Sequence, residues 1–274
     1  MTDQNDAPII THKDYLLPSV FTPENLLREA RRQKSILEGN IPKICILDPD
    51  GDIVQNLASS RLAERDRHWA CYHTSMYDFT CEGIEFGIVG NAVGASFAVL
   101  VAEEMFACGC ELLISMSSAG QIVPKGSPPY FVLIEKALRD EGTSYHYLPP
   151  AQFSTINPKL LAGLQGVFEK SLPPVFRGAT WTTDAPFRET ETAISYSRSE
   201  GILGVEMEAS ALYAFAEAKR HPVICFAHIT NQMGNVENDF EKGEAQGSLD
   251  AVDVISQAAR AWLSGAVSKK EKSK

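Results

Sequence analysis

The sequence predicts one α/β domain, a β-sheet covered on its faces by helices. Two observations carry that reading. From Lys43 onward, short apolar runs of strand length alternate with longer helix-like runs, the pattern of a sheet flanked by helices. The 274 residues are 44% hydrophobic and 22% charged, enough apolar material for a sizeable core, and no repeat or low-complexity segment interrupts them. The domain is assigned to 41–266, after a 1–40 extension with one helix and before a Lys-rich tail over 267–274, where a frayed end is expected.

In chain order the extension comes first. Thr22 is placed to cap a helix whose first position is Pro23, Leu26, Leu27, Ala30 and Ile36 form an interrupted apolar stripe, and Gly39 is read as the stop. The basic cluster Arg28, Arg31, Arg32 and Lys34 reads as a solvated face. Strands are predicted at Ile44–Leu47, Ile84–Val89, Leu112–Met116, Tyr130–Ile134, Val175–Thr180 and Pro222–Ile229, each a short apolar run. Helices are predicted at Ala95–Cys108, Pro158–Lys170, Glu208–Lys219 and Ser248–Ser264.

Composition excludes some functions. With 25 Lys+Arg against 35 Asp+Glu and a net charge of -10, the chain lacks the cationic face that nucleic-acid backbones need. The polar, acidic amino terminus and the charge-interrupted apolar runs give no leader or membrane span, so a cytoplasmic protein is expected. Six cysteines are too few for a disulfide scaffold and read as core residues. Cys108 and Cys110 form a CxC with no second ligand pair, so no metal site is expected.

Ligands of open α/β sheets bind beyond the carboxyl ends of the strands, and four such segments carry unusual residues. Gly90–Ser96, containing Val93 and Gly94, lets backbone N–H groups approach an anion or a sugar, though a plain tight turn explains it equally. Ser117-Ser118-Ala119-Gly120 offers hydroxyl donors to a phosphate or ribose oxygen, and is also an ordinary connector composition. In Gly204–Ser210, two carboxylates meet a helix start: one can grip vicinal hydroxyls and favour positive charge on a sugar ring, or both can simply complement the helix dipole. In His228–Gln232, Asn231 can donate to a heteroaromatic leaving group or merely form a turn.

Taken in order these segments, above all Gly201-Ile202-Leu203-Gly204-Val205-Glu206-Met207-Glu208-Ala209, resemble the nucleoside phosphorylase and nucleosidase superfamily, in the branch of uridine phosphorylase and the hexameric purine nucleoside phosphorylases. The glycine turn at 90–94, Ser118–Gly120, Ala137–Pro149 and Thr182–Phe187 support the likeness, which covers roughly 41–265. The resemblance implies a single domain with a mixed, partly barrel-like sheet, cleavage of a nucleoside's N-glycosidic bond, a homo-oligomer built from dimers, and no cofactor beyond phosphate as a co-substrate. It further implies that Glu208 binds the ribose hydroxyls, Met207 packs on the sugar and Glu206 supports the same edge. Ser118 would contact phosphate, with Ser117 and Gly120 beside it; Val93 and Gly94 would line the sugar side, Phe187 would stack on the base and Asn231 would face it.

Two departures bear on phosphate. Ser115 stands where phosphorolytic members carry a clamping Arg, and Asp48-Pro49-Asp50-Gly51-Asp52 replaces their early basic phosphate loop, adding negative charge where a dianion would sit. Arg188 could supply a cation within the chain, and Arg65, Arg67, His68 or His73 could do so from a neighbouring subunit. Alternatively Asp50 or Asp52 could serve as general base for water. Phosphorolysis to free base and sugar 1-phosphate is the leading expectation. A hydrolytic nucleosidase and a non-catalytic nucleoside binder are the alternatives, whereas the absence of GxGxxG argues against a dinucleotide-binding redox enzyme.

Overall fold

The computed structural model describes residues 7–233, 237 and 239–271. After a short 3-10 turn at Pro8–Ile10, helix α1 spans Pro23–Lys34. Thr22 caps it, its hydroxyl accepting from the Asn25 N–H at 3.3 Å, and Pro23 occupies the first turn, where no N–H is needed. The helix ends at Ser35 (φ 56°), ahead of the expected stop at Gly39. Gly39 serves a different purpose, since a Cβ there would lie 2.2 Å from the His68 ring. Leu27 and Ala30 are buried against helix α3 (Ala95–Ala107), so the extension's helix is part of the packed body. Nor is its basic face wholly solvated: Arg31 donates to Cys108 Sγ, and Lys34 donates to the Ala70 and Cys71 carbonyls.

The remaining elements run β1 (Ile44–Asp48), α2 (Asp52–Ser59), β2 (Glu64–Arg65), β3 (Met76–Cys81), β4 (Ile84–Gly90), α3, β5 (Leu112–Gln121), β6 (Tyr130–Asp140), β7 (Phe153–Thr155) and α4 (Pro158–Gly163). They continue β8 (Val175–Thr183), α5 (Glu191–Ser199), β9 (Gly204–Glu206), α6 (Ala209–Lys219), β10 (Val223–Asn231) and α7 (Ser248–Glu271). All six expected strands and the expected helices form. Helix α4 is shorter than the predicted Pro158–Lys170, because the chain turns through Gly166 (φ 76°), though Leu164 and Phe168 still reach the core. Helix α7 continues to Glu271, and residues 272–274 of the expected tail lie outside the described residues.

The sheet is mixed. Its order is β10-β6-β8-β9-β5-β1-β4-β3-β2, and β10 also pairs with β5, which closes β5, β9, β8, β6 and β10 into a barrel. Closure is why β5, β8 and β10 run past their apolar runs into Ser, Thr and Asn: in-register partners such as His228 opposite Ser118 and Glu206 opposite Thr182 keep those polar stretches in the ladder. The segment Ser117–Gly120, expected as a connector, is therefore strand, and so is His228–Asn231. In the hydrophobic core, Phe131, Phe226 and Tyr213 of α6 are buried. The Tyr213 hydroxyl bridges two strands, donating to the Ile134 carbonyl at 2.6 Å and accepting from the Cys225 N–H at 3.1 Å. No described helix is long and apolar enough to cross a membrane.

Candidate active site

The carboxyl ends of β1, β4, β5, β9 and β10 converge beside the start of α6, and Glu206 is the brace that sets this junction. Its Oε1 accepts from Thr180 Oγ1 (3.0 Å) and Thr182 Oγ1 (2.5 Å) on the neighbouring strand, and its Oε2 accepts from the N–H groups of Glu208 and Ala209, both at 2.7 Å. It thus ties β8 to α6 and satisfies two donors that a helix start leaves open. Burial pushes its pKa up against those four bonds, which favour the charged form.

That brace holds Glu208, which is 2% exposed and occupies the N-cap position of α6, its side chain turned to other donors. Its Oε1 accepts from the Gly94 N–H at 2.7 Å, and its Oε2 accepts from Ser117 Oγ at 2.8 Å and the Met207 N–H at 3.3 Å. Gly94 has φ 90°, a conformation that frees its N–H toward the acid and that a side chain would strain. Burial first, and the Glu206 charge second, raise the Glu208 pKa to about 8. The carboxylate is thus desolvated and fixed, with lone-pair capacity left beyond its present donors.

On the other side of Ser117 lies Ser118. Its N–H donates to Asp50 Oδ2 and its Oγ to Asp50 Oδ1, both at 2.8 Å. Asp50 sits on the turn between β1 and α2, which Asp48 organises: the Asp48 carboxylate accepts from the N–H groups of Gly51 (3.2 Å) and Val54 (2.9 Å). Burial lifts the Asp48 pKa to about 7. Asp52 forms an ion pair with Lys242. The His228 ring stacks on Phe131 with centroids 4.5 Å apart, and burial, followed by the Lys242 charge, holds its pKa down at about 4, so it is neutral near pH 7.

A cavity of about 310 Å³ opens beside this junction, its wall including Ser118, Gly120, Phe187, Glu206, Met207 and Asn231. The Asn231 side chain donates to Thr230 Oγ1 at 3.2 Å and accepts from the Met233 N–H at 2.9 Å. Gly120 is required for close approach, since a Cβ there would meet Met233 Sδ at 2.6 Å and Asn231 Oδ1 at 3.2 Å. Phe187 is fully exposed at the rim, an unburied aromatic face.

Most of the residues singled out in the sequence come together here: Gly94, Ser117 and Glu208 in one hydrogen-bonded set, Asp50 and Ser118 in another, and Gly120, Phe187, Met207 and Asn231 around the cavity. Val93 is half-exposed on the turn before Gly94. Arg188 is exposed and is not part of the cavity wall, although it follows Phe187 at the rim. Arg65, Arg67 and His68 line a different hollow with Asp66 and Asp78. Sequence reasoning missed Thr180 and Thr182 as holders of Glu206, Lys242 as the partner of Asp52, and Glu189, a half-buried acid of the cavity wall whose pKa burial lifts to about 7. The strand alternation that aims both threonines at one carboxylate was the available signal.

The model of the phosphorylase superfamily matches residues 43–261, most of the chain. The chain belongs to this superfamily. Among curated members it is 25% identical to the guanosine phosphorylase of Halorubrum lacusprofundi over 194 residues, 69% of this chain and 78% of that one. It is 23% identical to the uridine phosphorylase of Thermococcus kodakarensis over 242 residues, 80% of this chain and 84% of that one. In fold it is similar to the crystal structure of uridine phosphorylase from Vibrio fischeri, with a TM-score of 0.67, 20% identity and coverage of 91% of this chain and 99% of the other. The superfamily's mixed α/β fold with its barrel-like sheet is therefore the fold of this phosphorylase-superfamily chain.

Proposed function

We propose that the protein cleaves the N-glycosidic bond of a nucleoside, and the observation that carries this reading is the buried Glu208 carboxylate, held between Gly94 and Ser117 and following Met207 of the cavity wall in the chain. Breaking the bond between C1′ and the base nitrogen leaves its electron pair on the base and positive charge on the sugar ring. A fixed, desolvated carboxylate stabilises that charge far more than it does in water. Glu208 accepts from the ribose hydroxyls, Met207 packs on the sugar, Phe187 covers the base and Asn231 meets its polar edge. Ser118 is the seat for the group that attacks C1′.

Kinship with phosphorylases supports phosphate as that group, giving free base and sugar 1-phosphate. A second reading, hydrolysis, is favoured by the carboxylate of Asp50 already hydrogen-bonded to both Ser118 donors. With kinship again as support, the protein works in nucleoside salvage as a dimer-based homo-oligomer of the cytoplasm, without metal or organic cofactor. Exposed Leu16, Leu17, Val20 and Phe21 supply apolar surface for such an assembly.

The test is a panel of purine and pyrimidine nucleosides incubated with purified protein, with and without phosphate. Base release that needs phosphate and yields sugar 1-phosphate supports phosphorolysis. Equal release in both, with free pentose, supports hydrolysis. A panel with no base release in either condition overturns the reading.

A further inference from the structure

We propose that Asp50 is the residue that selects the acceptor: its carboxylate is an internal anion seated on the Ser118 donors, keeping phosphate out and leaving water to attack the sugar. This inference rests on glycosidic cleavage as the activity of the site and deepens its second, hydrolytic reading against the phosphorolytic one. Three features of the acceptor side carry it.

The first is geometry. Ser118 presents a backbone N–H and a hydroxyl side by side, a pair suited to two oxygens of one anion, and Asp50 satisfies both at 2.8 Å, one oxygen to each. The second is the turn that delivers it. Asp48 folds the turn by accepting from the Gly51 and Val54 N–H groups, and Gly51, at φ 81°, lies where a Cβ would come within 2.5 Å of Asn91 Oδ1. Asp50 is therefore presented by a turn held on both sides.

The third feature is charge. A phosphate dianion at Ser118 would meet the Asp50 carboxylate that already takes both of its donors, with Asp52 on the same turn. The cation nearest this turn among the described residues, Lys242, is already paired with Asp52. No cation enters from β5, where Ser115 is 1% exposed. Repulsion among these like charges opposes phosphate, whereas a neutral water carries no such penalty.

The chemistry balances with water as the only co-reactant. The water oxygen bonds to C1′ as the bond from C1′ to the base nitrogen breaks, and that bond's electron pair leaves with the base. The water's proton passes to a free lone pair of the Asp50 carboxylate and returns to solvent, while the base takes up a proton, so nucleoside and water give free pentose and free base.

The experiment compares the wild type with Asp50→Ala, which vacates the seat, and Asp50→Asn, which keeps the volume and removes the charge. Two readouts are taken: binding of labelled inorganic phosphate by equilibrium dialysis, and base release with the sugar product identified. Thermal melts confirm that each variant is folded. The expected result is phosphate binding tighter by about tenfold or more in Asp50→Ala than in the wild type, with loss of free-pentose formation in both variants. Equal phosphate affinity in wild type and Asp50→Ala, or no phosphate binding by any of the three, overturns the proposal. If no variant releases base from any nucleoside but Asp50→Ala gains phosphate, Asp50's occupation of the seat is upheld and glycosidic cleavage is what fails. If wild type releases base only with phosphate and Asp50→Ala behaves alike, cleavage stands and the role of Asp50 fails.

Discussion

Glu208 is charged only at a cost, and that cost is measurable. With its pKa raised to about 8 by burial and by Glu206, the free enzyme holds mostly the neutral acid at pH 7, whereas cleavage needs the carboxylate. The kcat/KM for base release is therefore expected to rise nearly tenfold per pH unit below about pH 8 and to level above it, as a pH profile would show. The same shift has a fixed sign for stability. The folded state keeps this proton after the unfolded chain has lost it, so stability falls as pH rises from the ordinary glutamate range to about 8 and changes no further beyond. Urea titrations of the wild type and Glu208→Gln should diverge over that window, the variant gaining in relative stability as pH rises to 8.5; parallel curves would contradict the assignment. In the sequence this residue was legible through the resemblance that the Val-Glu-Met-Glu run carries, since two acids at a helix start alone also fit a dipole role. The grip of Asp50 on Ser118 was not, because it joins residues 68 apart whose pairing depends on how two strand ends abut.

At the scale of elements, Glu206 carries more of the architecture than of the chemistry. All of its bonds lie between β8, β9 and α6, so Glu206→Ala strands two buried hydroxyls and two helix-start N–H groups. The expected loss is about 3 kcal/mol in urea denaturation, together with activity, because Glu208 loses its anchor; a variant as stable as the wild type would contradict the brace. The apolar runs located six of the ten strands, because burial on both faces needs continuous hydrophobicity, and missed the half-exposed β3 (Met76–Cys81), whose burial is interrupted. Their ends were misplaced because β5, β8 and β10 continue as polar strands whose register is set by neighbours across the barrel. Helix α2 went unread although Ile53, Val54 and Leu57 mark a buried face over Asp52–Ser59. Its start is fixed by Asp48, a residue that reads on sequence as part of an acidic loop.

For the molecule as a whole, alternation alone implied a sheet between helices, and closure of β5, β9, β8, β6 and β10 into a barrel came only through resemblance. Barrel closure depends on long-range pairing such as β10 with β5, which local periodicity cannot encode. Closure is also what gathers the site, for it brings Ser117 and Ser118 of β5, Asn231 of β10 and Glu206 of β9 to one rim. The central claim is that the Glu208 charge stabilises a sugar cation at that rim. The most direct measurement is the rate of base release by the wild type and Glu208→Gln on the best nucleoside of the panel, at pH 8.5. Gln keeps an oxygen for the Gly94 N–H and an amide for Ser117, so the fold is retained while the charge is gone. A fall in kcat of about 10²- to 10³-fold is expected; a variant that releases base as fast as the wild type would contradict the account.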